Sequence, residues 1–133
     1  MTWEIVEGEA ENLAALPAPD RLKLFYPLIA DWGQAWGLKD RDGWILQRSG
    51  AGAEPEAFPL WPHPDFAHLC ATGPWEGTTP EPLAIEEMLD HLFPQLAEEG
   101  KVVAAFPTPD DPGIRLSPAE VGKAIADELE IGD

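Results

Sequence analysis

Cysteine is scarce in this chain, and Cys70 is the only one among 133 residues. A single cysteine excludes an internal disulfide and cannot build a structural zinc site, and it fits a reducing compartment. The chain also lacks an apolar run long enough to span a bilayer, and its N-terminus has neither the basic start nor the apolar core of a secretory signal. We therefore expect a cytoplasmic protein.

Basic residues are few: the chain has eight lysines and arginines against 25 acidic residues, for a net charge of -17. Binding to nucleic acid or to anionic lipid requires cations that contact phosphates, so both are excluded as partners. No Lys or Arg lies between Ser49 and Gly100, a span that carries ten acidic residues. This distribution predicts a negative surface that steers cationic partners, although the same acidity also suits a tryptophan-rich protein that needs only to stay soluble.

Motifs for catalysis and for metal or cofactor binding are missing as well. The chain has no nucleophile elbow, no phosphate-binding glycine loop and no dinucleotide fingerprint. Its histidines are His63, His68 and His91, and the first two are five residues apart, which places them on different faces of a helix. Cys70 falls on an apolar face and far from any cation in sequence, which does not favour a reactive thiolate. We therefore predict no catalytic, cofactor-binding or metal-binding residues.

The residues that are present indicate a folded chain of short elements, with six tryptophans and 15 prolines. In the first half, the patterns predict a strand over residues 3–6, a helix from Asp20 to Trp32 kinked or split at Pro27, a hairpin over Trp36–Arg48 and a loop over Ser49–Ala57. A strand over Phe58–Trp61 then enters a stiff corner, Pro62-His63-Pro64, and a short helix that carries Phe66 and Cys70.

The second half has equally clear signals. They predict a loop over Trp75–Pro82, a short strand over Leu83–Ile85, a helix over Ile85–Glu99 bent at Pro94, strands over Lys101–Phe106 and Ile114–Leu116, and a final helix capped by Ser117. The fold class is α+β, a small and mostly antiparallel sheet with three longer helices and one short helix packed on it. We expect a single domain over residues 1–133, in which residues 1–16 form a loosely attached acidic segment.

Several of these segments together resemble the bacterial domain of unknown function family 2750. They are Trp36, Gly43-Trp44, W-P-H-P-D-F-A over Trp61–Ala67, L-A-E-E-G ending at Gly100, V-A-A-F-P-T-P over Val103–Pro109 and S-P-A-E-V over Ser117–Val121. The likeness extends in the same order from about Arg21 to Leu129. It implies a compact cytoplasmic bacterial domain, and since the family has no established activity, it implies no catalytic residues.

The cation-free acidic span favours a non-enzymatic protein-binding module that engages a basic partner, in the manner of immunity or inhibitor proteins. Trp75 lies in a loop of Gly, Pro and Thr outside any apolar pattern, where it would either anchor an interface or fold back on the core. The residues expected to bind the partner are Trp75, Glu76, Glu86, Glu87, Asp90, Glu98 and Glu99.

The alternative is a domain that binds a small molecule or catalyses a reaction. Its pocket would lie at the Trp61–Phe66 corner, with His63 and Asp65 as the polar groups. A deep cleft that holds both side chains would favour this alternative, and filled packing around His63 would remove it.

Overall fold

Two three-stranded sheets and the helices around them make up the part of the chain that the structure, a computed structural model, describes: residues 9–47, 56–109, 111 and 113–131. The helices are α1 (Glu9–Ala14), α2 (Ala18–Trp32), α3 (Pro64–Leu69), α4 (Ile85–Glu87), α5 (Phe93–Glu98) and α6 (Pro118–Ile131). The strands are β1 (Gln34–Asp40), β2 (Gly43–Trp44), β3 (Ala57–Leu60), β4 (Thr79–Ala84), β5 (Val102–Ala105) and β6 (Ile114–Leu116). The strand predicted over residues 3–6 and most of the predicted loop over Ser49–Ala57 lie outside the described residues.

The first sheet has the order β2-β1-β4 and is antiparallel throughout. Its hairpin turns at Asp42 as predicted, where the backbone N–H donates to Oδ1 of Asp40 over 2.8 Å. The loop predicted over Trp75–Pro82 is wrong from Thr79 onward, because β4 begins there and pairs with β1. Pro80 and Pro82 suggested a loop, but β4 is an edge strand, and an edge strand tolerates residues that have no N–H to donate.

The second sheet has the order β3-β5-β6 and is mixed. β3 runs parallel to β5, and β6 runs antiparallel to β5. The α+β class is confirmed, with mostly antiparallel pairing divided between two small sheets. A backbone exchange joins the sheets: the N–H of Trp36 donates to the carbonyl of Trp61 over 2.8 Å, and the reverse bond measures 2.9 Å.

Helix α2 follows its predicted amphipathic pattern, with Phe25 and Ile29 fully buried. It ends where predicted, because Gly33 adopts a φ of +74° and its N–H donates to the carbonyl of Ile29. Pro27 does not split off the first turn, since α2 continues from Ala18 to Trp32. The carbonyl that Pro27 leaves without its helical donor belongs to Lys23, an exposed residue at which water can replace the missing bond.

The helix predicted over Ile85–Glu99 is formed in three parts. Between α4 and α5, the turn Met88–Leu92 is a π-helical turn in which the N–H of Phe93 donates to the carbonyl of Met88. This wide turn stands directly before Pro94, whose ring would otherwise clash with the carbonyl four residues earlier. The bend predicted at Pro94 therefore takes the form of a local widening of the helix.

The core lies between the sheets and α2, α5 and α6. Trp61 is completely buried at its centre, and Val121 and Ile125 of α6 are also inaccessible to solvent. Helix α6 begins as predicted, since Oγ of Ser117 accepts a hydrogen bond from the N–H of Glu120 over 3.2 Å. Among the described residues these elements border a depression beyond the carboxyl end of β5 and another between α4–α5 and β2.

Candidate functional site

The Trp61–Phe66 corner is filled by packing. His63 is only 7% exposed, and its Nδ1 accepts a hydrogen bond from the N–H of Asp65 over 3.1 Å, which makes it the N-cap of α3. Its ring stands edge-on to that of Phe66, with 6.2 Å between the centroids. The carboxylate of Asp65 is exposed, and neither residue lines either of the two depressions described below. This geometry supports a structural role for His63 at the start of α3.

Behind the corner, the carbonyl oxygen of Pro107 accepts two buried hydrogen bonds. Nε1 of Trp61 donates to it over 2.7 Å, and Sγ of Cys70 donates over 3.4 Å. Burial of the thiol raises the pKa of Cys70 to about 11, and the nearby Trp61 and Arg21 oppose this increase only in part. Cys70 is therefore protonated near neutral pH and packs as a small apolar side chain, as its position in the sequence predicted.

The first depression is formed around Arg21, a residue that the sequence reasoning did not select. The residue is 2% exposed, its Nε donates to the carbonyl of Phe106 over 3.0 Å, and its Nη1 donates to the carbonyl of Leu16 over 2.6 Å. Nη2 lies 3.3 Å from Oδ1 of Asp111. Nη2 is buried and makes no hydrogen bond with any described residue, so its contact with Asp111 is an ion pair without hydrogen-bond geometry.

A cleft of about 530 Å³ opens beside this guanidinium, and we call it the Arg21 cleft. Its walls are Ala14, Ala15, Leu16, Pro17, Arg21, Leu69, Thr108, Pro109 and Asp111. One signal in the sequence points to Arg21: it precedes Phe25 and Ile29 at a spacing of four, so the buried stripe of α2 begins with a charged residue. A charge on a buried stripe requires partners, and those partners come from residues 16, 106 and 111.

The second depression, of about 250 Å³, lies between the α4–α5 segment and the strands, and we call it the acidic groove. Its lining contains apolar side chains from both sides: Trp44, Leu46, Phe58 and Leu83 from the strand side, and Leu92 and Leu96 from the helical side. Glu87, His91, Gln95 and Glu99 follow each other at a spacing of four and form its helical border. The ring of Trp44 lies directly over Gly37 and 5.5 Å from the ring of Phe58.

The charges around the acidic groove are divided between its two sides. On the helical side Glu86, Glu87 and Asp90 are exposed and form no ion pair with any described residue. At the end of the groove, Nζ of Lys101 donates to Glu99 over 2.9 Å, and this bond holds the pKa of the Glu99 carboxyl below its ordinary value.

A second cation lies on the strand side of the groove, where Nζ of Lys39 is 5.0 Å from the centre of the Trp44 ring. The segment between residues 49 and 100 contains no Lys or Arg. In the fold, Lys39 and Lys101, which lie outside this segment, are placed near the groove that the segment helps to form. The carboxylates that line the groove, Glu87 and Glu99, both come from its helical side.

The predicted partner-binding residues fall in two places. Glu87 and Glu99 line the acidic groove, and three further exposed residues are on the same helical segment, namely Glu86, Asp90 and Glu98. Trp75 and Glu76 do not line it: the ring of Trp75 packs edge-on against that of Trp61, with centroids 6.4 Å apart, while Glu76 is exposed. Trp75 thus packs on the edge of the core. This is the second of the two roles that its position in the sequence allowed, a side chain folded back on the core.

Trp44 and Phe58 line the groove from the strand side, a role that the sequence reasoning did not assign to them. Their apolar patterns predicted core, and this is confirmed for Phe58, which is 3% exposed, while Trp44 is half-buried and packs against the core.

Neither a metal-binding cluster nor a membrane-spanning helix is present among the described residues. No group of three or more His, Cys, Asp and Glu side chains is placed there to hold a metal ion. No helix in those parts of the chain is long and apolar enough to cross a bilayer.

Comparison with known protein families gives a match over most of the chain. The family model described as "Protein of unknown function (DUF2750)" matches residues 22–125, which include both sheets, α3 to α5 and the start of α6. No curated protein sequence and no solved structure matches the chain. Because the family match extends over most of the chain, this protein belongs to the DUF2750 family, whose function is not established.

Proposed function

We propose that this protein is a binding module that holds a segment of a partner protein in the acidic groove. The segment carries an apolar side chain that enters the groove and lysine or arginine residues that meet the carboxylates on its helical side. The observation that carries the proposal is that Glu86, Glu87 and Asp90 are exposed, form no ion pair with any described residue, and lie on the helical segment that borders an apolar depression. Carboxylates without ion pairs gain most when a partner supplies the cations.

The apolar lining of the groove supports the same partner. Leu92 and Leu96 on the helical side face Trp44 and Phe58 on the strand side, and aromatic side chains are enriched where proteins bind one another. A buried apolar anchor supplies affinity, while the acidic border selects basic neighbours and speeds association. An inhibitor or immunity protein that covers the basic active site of a toxin is the most specific form of this proposal.

The experiment compares two charge variants with the wild type in capture from a lysate of the source organism. One variant, Glu87→Gln with Asp90→Asn, removes two charges beside the groove. The matched control, Asp31→Asn with Glu81→Gln, removes two exposed charges elsewhere and has the same net charge. We expect the wild type and the control to retain a basic protein at low salt, and the groove variant to retain it about fivefold less.

The captured protein is then purified and titrated directly against the three forms. Equal affinity for the groove variant and the control would contradict the proposal, as would a partner without a basic surface. Binding that is independent of salt would also contradict it, because exposed charge pairs weaken as ionic strength rises.

A further inference from the structure

We propose that the Arg21 cleft is a second binding site, which takes a small organic monocarboxylate with a short apolar chain. In this site Asp111 is the resident counterion of Arg21, and the carboxylate of the ligand replaces it. This inference is independent of the acidic groove and of any protein partner.

The buried charge of Arg21 is incompletely paired. Two edges of its guanidinium are held by the carbonyls of Phe106 and Leu16, which fix its orientation. Nη2 makes no hydrogen bond with the described residues, although the side chain is only 3% exposed. Arginine strongly favours paired hydrogen bonds to carboxylates, and a buried nitrogen without one is a position that a ligand oxygen can fill.

Asp111 is the solvent-exposed member of its ion pair with Arg21. Its side chain is 37% exposed, whereas that of Arg21 is only 3% exposed. Oδ1 of Asp111, the oxygen that faces Nη2, also accepts the backbone N–H of Gly113 over 2.8 Å, so a ligand that displaces Asp111 breaks one hydrogen bond as well as the ion pair. Rotation of the exposed Asp111 carboxylate into water exposes Nη2 to the cleft, and water then solvates the displaced charge.

The cleft lies beyond the carboxyl end of β5, the strand that pairs in parallel with β3, and Thr108 and Pro109 after β5 form part of its wall. Ligands of sheets with parallel strands commonly bind beyond the carboxyl ends of those strands. At this end, Phe106 holds a φ of +52°, a strained conformation for a residue with a side chain. The strain directs the carbonyl of Phe106 to Arg21 and so fixes the guanidinium at the cleft.

The chemistry of the walls selects the ligand class. Leu16, Leu69 and Pro109 are apolar and would surround a short hydrocarbon chain, while Thr108 supplies one hydroxyl. A phosphate monoester would bring up to two negative charges close to Asp111 in a protein of net charge -17. A cation would leave Nη2 unpaired. A monocarboxylate supplies the missing oxygen with the smallest repulsion.

The test is a titration of the full chain with hexanoate, followed by ¹H–¹⁵N correlation spectra, with hexan-1-ol and hexylammonium as matched probes. We expect saturable shifts at Arg21, Thr108 and Asp111 with hexanoate, and about tenfold weaker binding of the alcohol, which cannot form a charge-assisted bond. Hexylammonium should not bind in the cleft.

Two variants separate ligand binding from a structural role of the ion pair. Asp111→Asn removes the competing charge and keeps an oxygen for Gly113, so it should bind hexanoate about threefold more tightly or better. Asp65→Asn, which makes the same change at an exposed site outside the cleft, should leave the affinity unchanged. The proposal is overturned if hexanoate binds neither the wild type nor Asp111→Asn, if the alcohol binds equally well, or if Asp111→Asn binds no more tightly than the wild type.

Discussion

Trp61 and Pro107 are joined by a hydrogen bond of 2.7 Å between the indole Nε1 and the carbonyl oxygen, although they are 46 residues apart in the chain. Each follows the end of a strand, Trp61 after β3 and Pro107 after β5, so the bond ties the carboxyl ends of the parallel pair together. Both residues belong to the W-P-H-P-D-F-A and V-A-A-F-P-T-P segments through which the chain resembles its family.

Replacement of Trp61 by Phe should lower the free energy of unfolding by about 2–3 kcal/mol, because it leaves the Pro107 carbonyl with only the weak thiol donor of Cys70 and leaves space in the core. Trp75→Phe is the matched control, since Trp75 is half-buried and should lose about 1 kcal/mol or less. Urea denaturation of the three proteins measures both values. Equal losses for the two variants would show that the Trp61 bond contributes nothing specific.

Cys70 should react slowly with thiol reagents in the native protein. Its pKa is raised from 9.0 to about 11 by burial, so at mildly alkaline pH about a hundredfold less thiolate is present than for an ordinary cysteine. The rate of labelling by iodoacetamide, compared in native and in urea-unfolded protein, checks this. Rapid labelling of the native protein would contradict the buried position of Cys70.

The same raised pKa predicts a dependence of stability on pH. A group whose pKa is higher in the folded state contributes stability that is complete below the unfolded pKa, and loses it as the pH rises through the folded pKa. The contribution of Cys70 is therefore present below pH 9 and is lost as the pH approaches about 11. Urea denaturation at a series of pH values measures this loss of the free energy of unfolding, and Cys70→Ala should abolish it. Below pH 9 the free energy of unfolding should depend on pH in the same way in Cys70→Ala and in the wild type.

Gly37→Ala should disturb the acidic groove. A Cβ at this position would lie 2.9 Å from Cζ3 of Trp44, so the indole must move and the groove wall moves with it. We expect a loss of about 1–3 kcal/mol in the free energy of unfolding and a changed tryptophan fluorescence spectrum. Gly122→Ala is the control: its Cβ would meet Leu89 at 3.4 Å, an ordinary contact, and alanine in α6 should stabilise by about 0.5–1 kcal/mol.

The cap of α3 can be tested by comparing two replacements of His63. His63→Ala removes both the ring and the acceptor of the Asp65 N–H, whereas His63→Asn removes the ring but keeps an acceptor. The difference in stability between the two variants, measured in urea, should be about 1 kcal/mol in favour of Asn. Equal stabilities would mean that the hydrogen bond to the Asp65 N–H contributes nothing to the free energy of unfolding.

The sequence predicted the elements whose signals are local. Gly33, Ser117 and the Pro62-His63-Pro64 corner act through backbone conformation within a few residues, and each begins or ends a helix as expected. β4 was missed because the same local signals apply to an edge strand and to a loop when prolines are present. Proline is tolerated in a strand if its missing N–H faces the edge of the sheet that has no neighbouring strand. The sequence of the strand alone does not show which edge that is.

The two depressions were beyond sequence reasoning for a related reason. Arg21 reaches the Phe106 carbonyl across 85 residues, and Lys39 and Lys101 enter the surroundings of the groove from outside the acidic span. The role of Glu86, Glu87 and Asp90 in binding a partner stays a prediction. Their exposure was expected from the helical pattern, but the apolar groove beside them depends on the packing of Trp44 on Gly37.

The pairing of the strands has a consequence for how the chain can be divided. β1 pairs with β4 and β3 pairs with β5, so the two pairings interleave along the chain instead of nesting. Every backbone cut between residues 40 and 102 consequently separates at least one pair of hydrogen-bonded strands. Neither sheet can be excised as a contiguous peptide without a strand of the other sheet. Two fragments produced by such a cut can restore the fold only if strands from one fragment pair again with strands from the other.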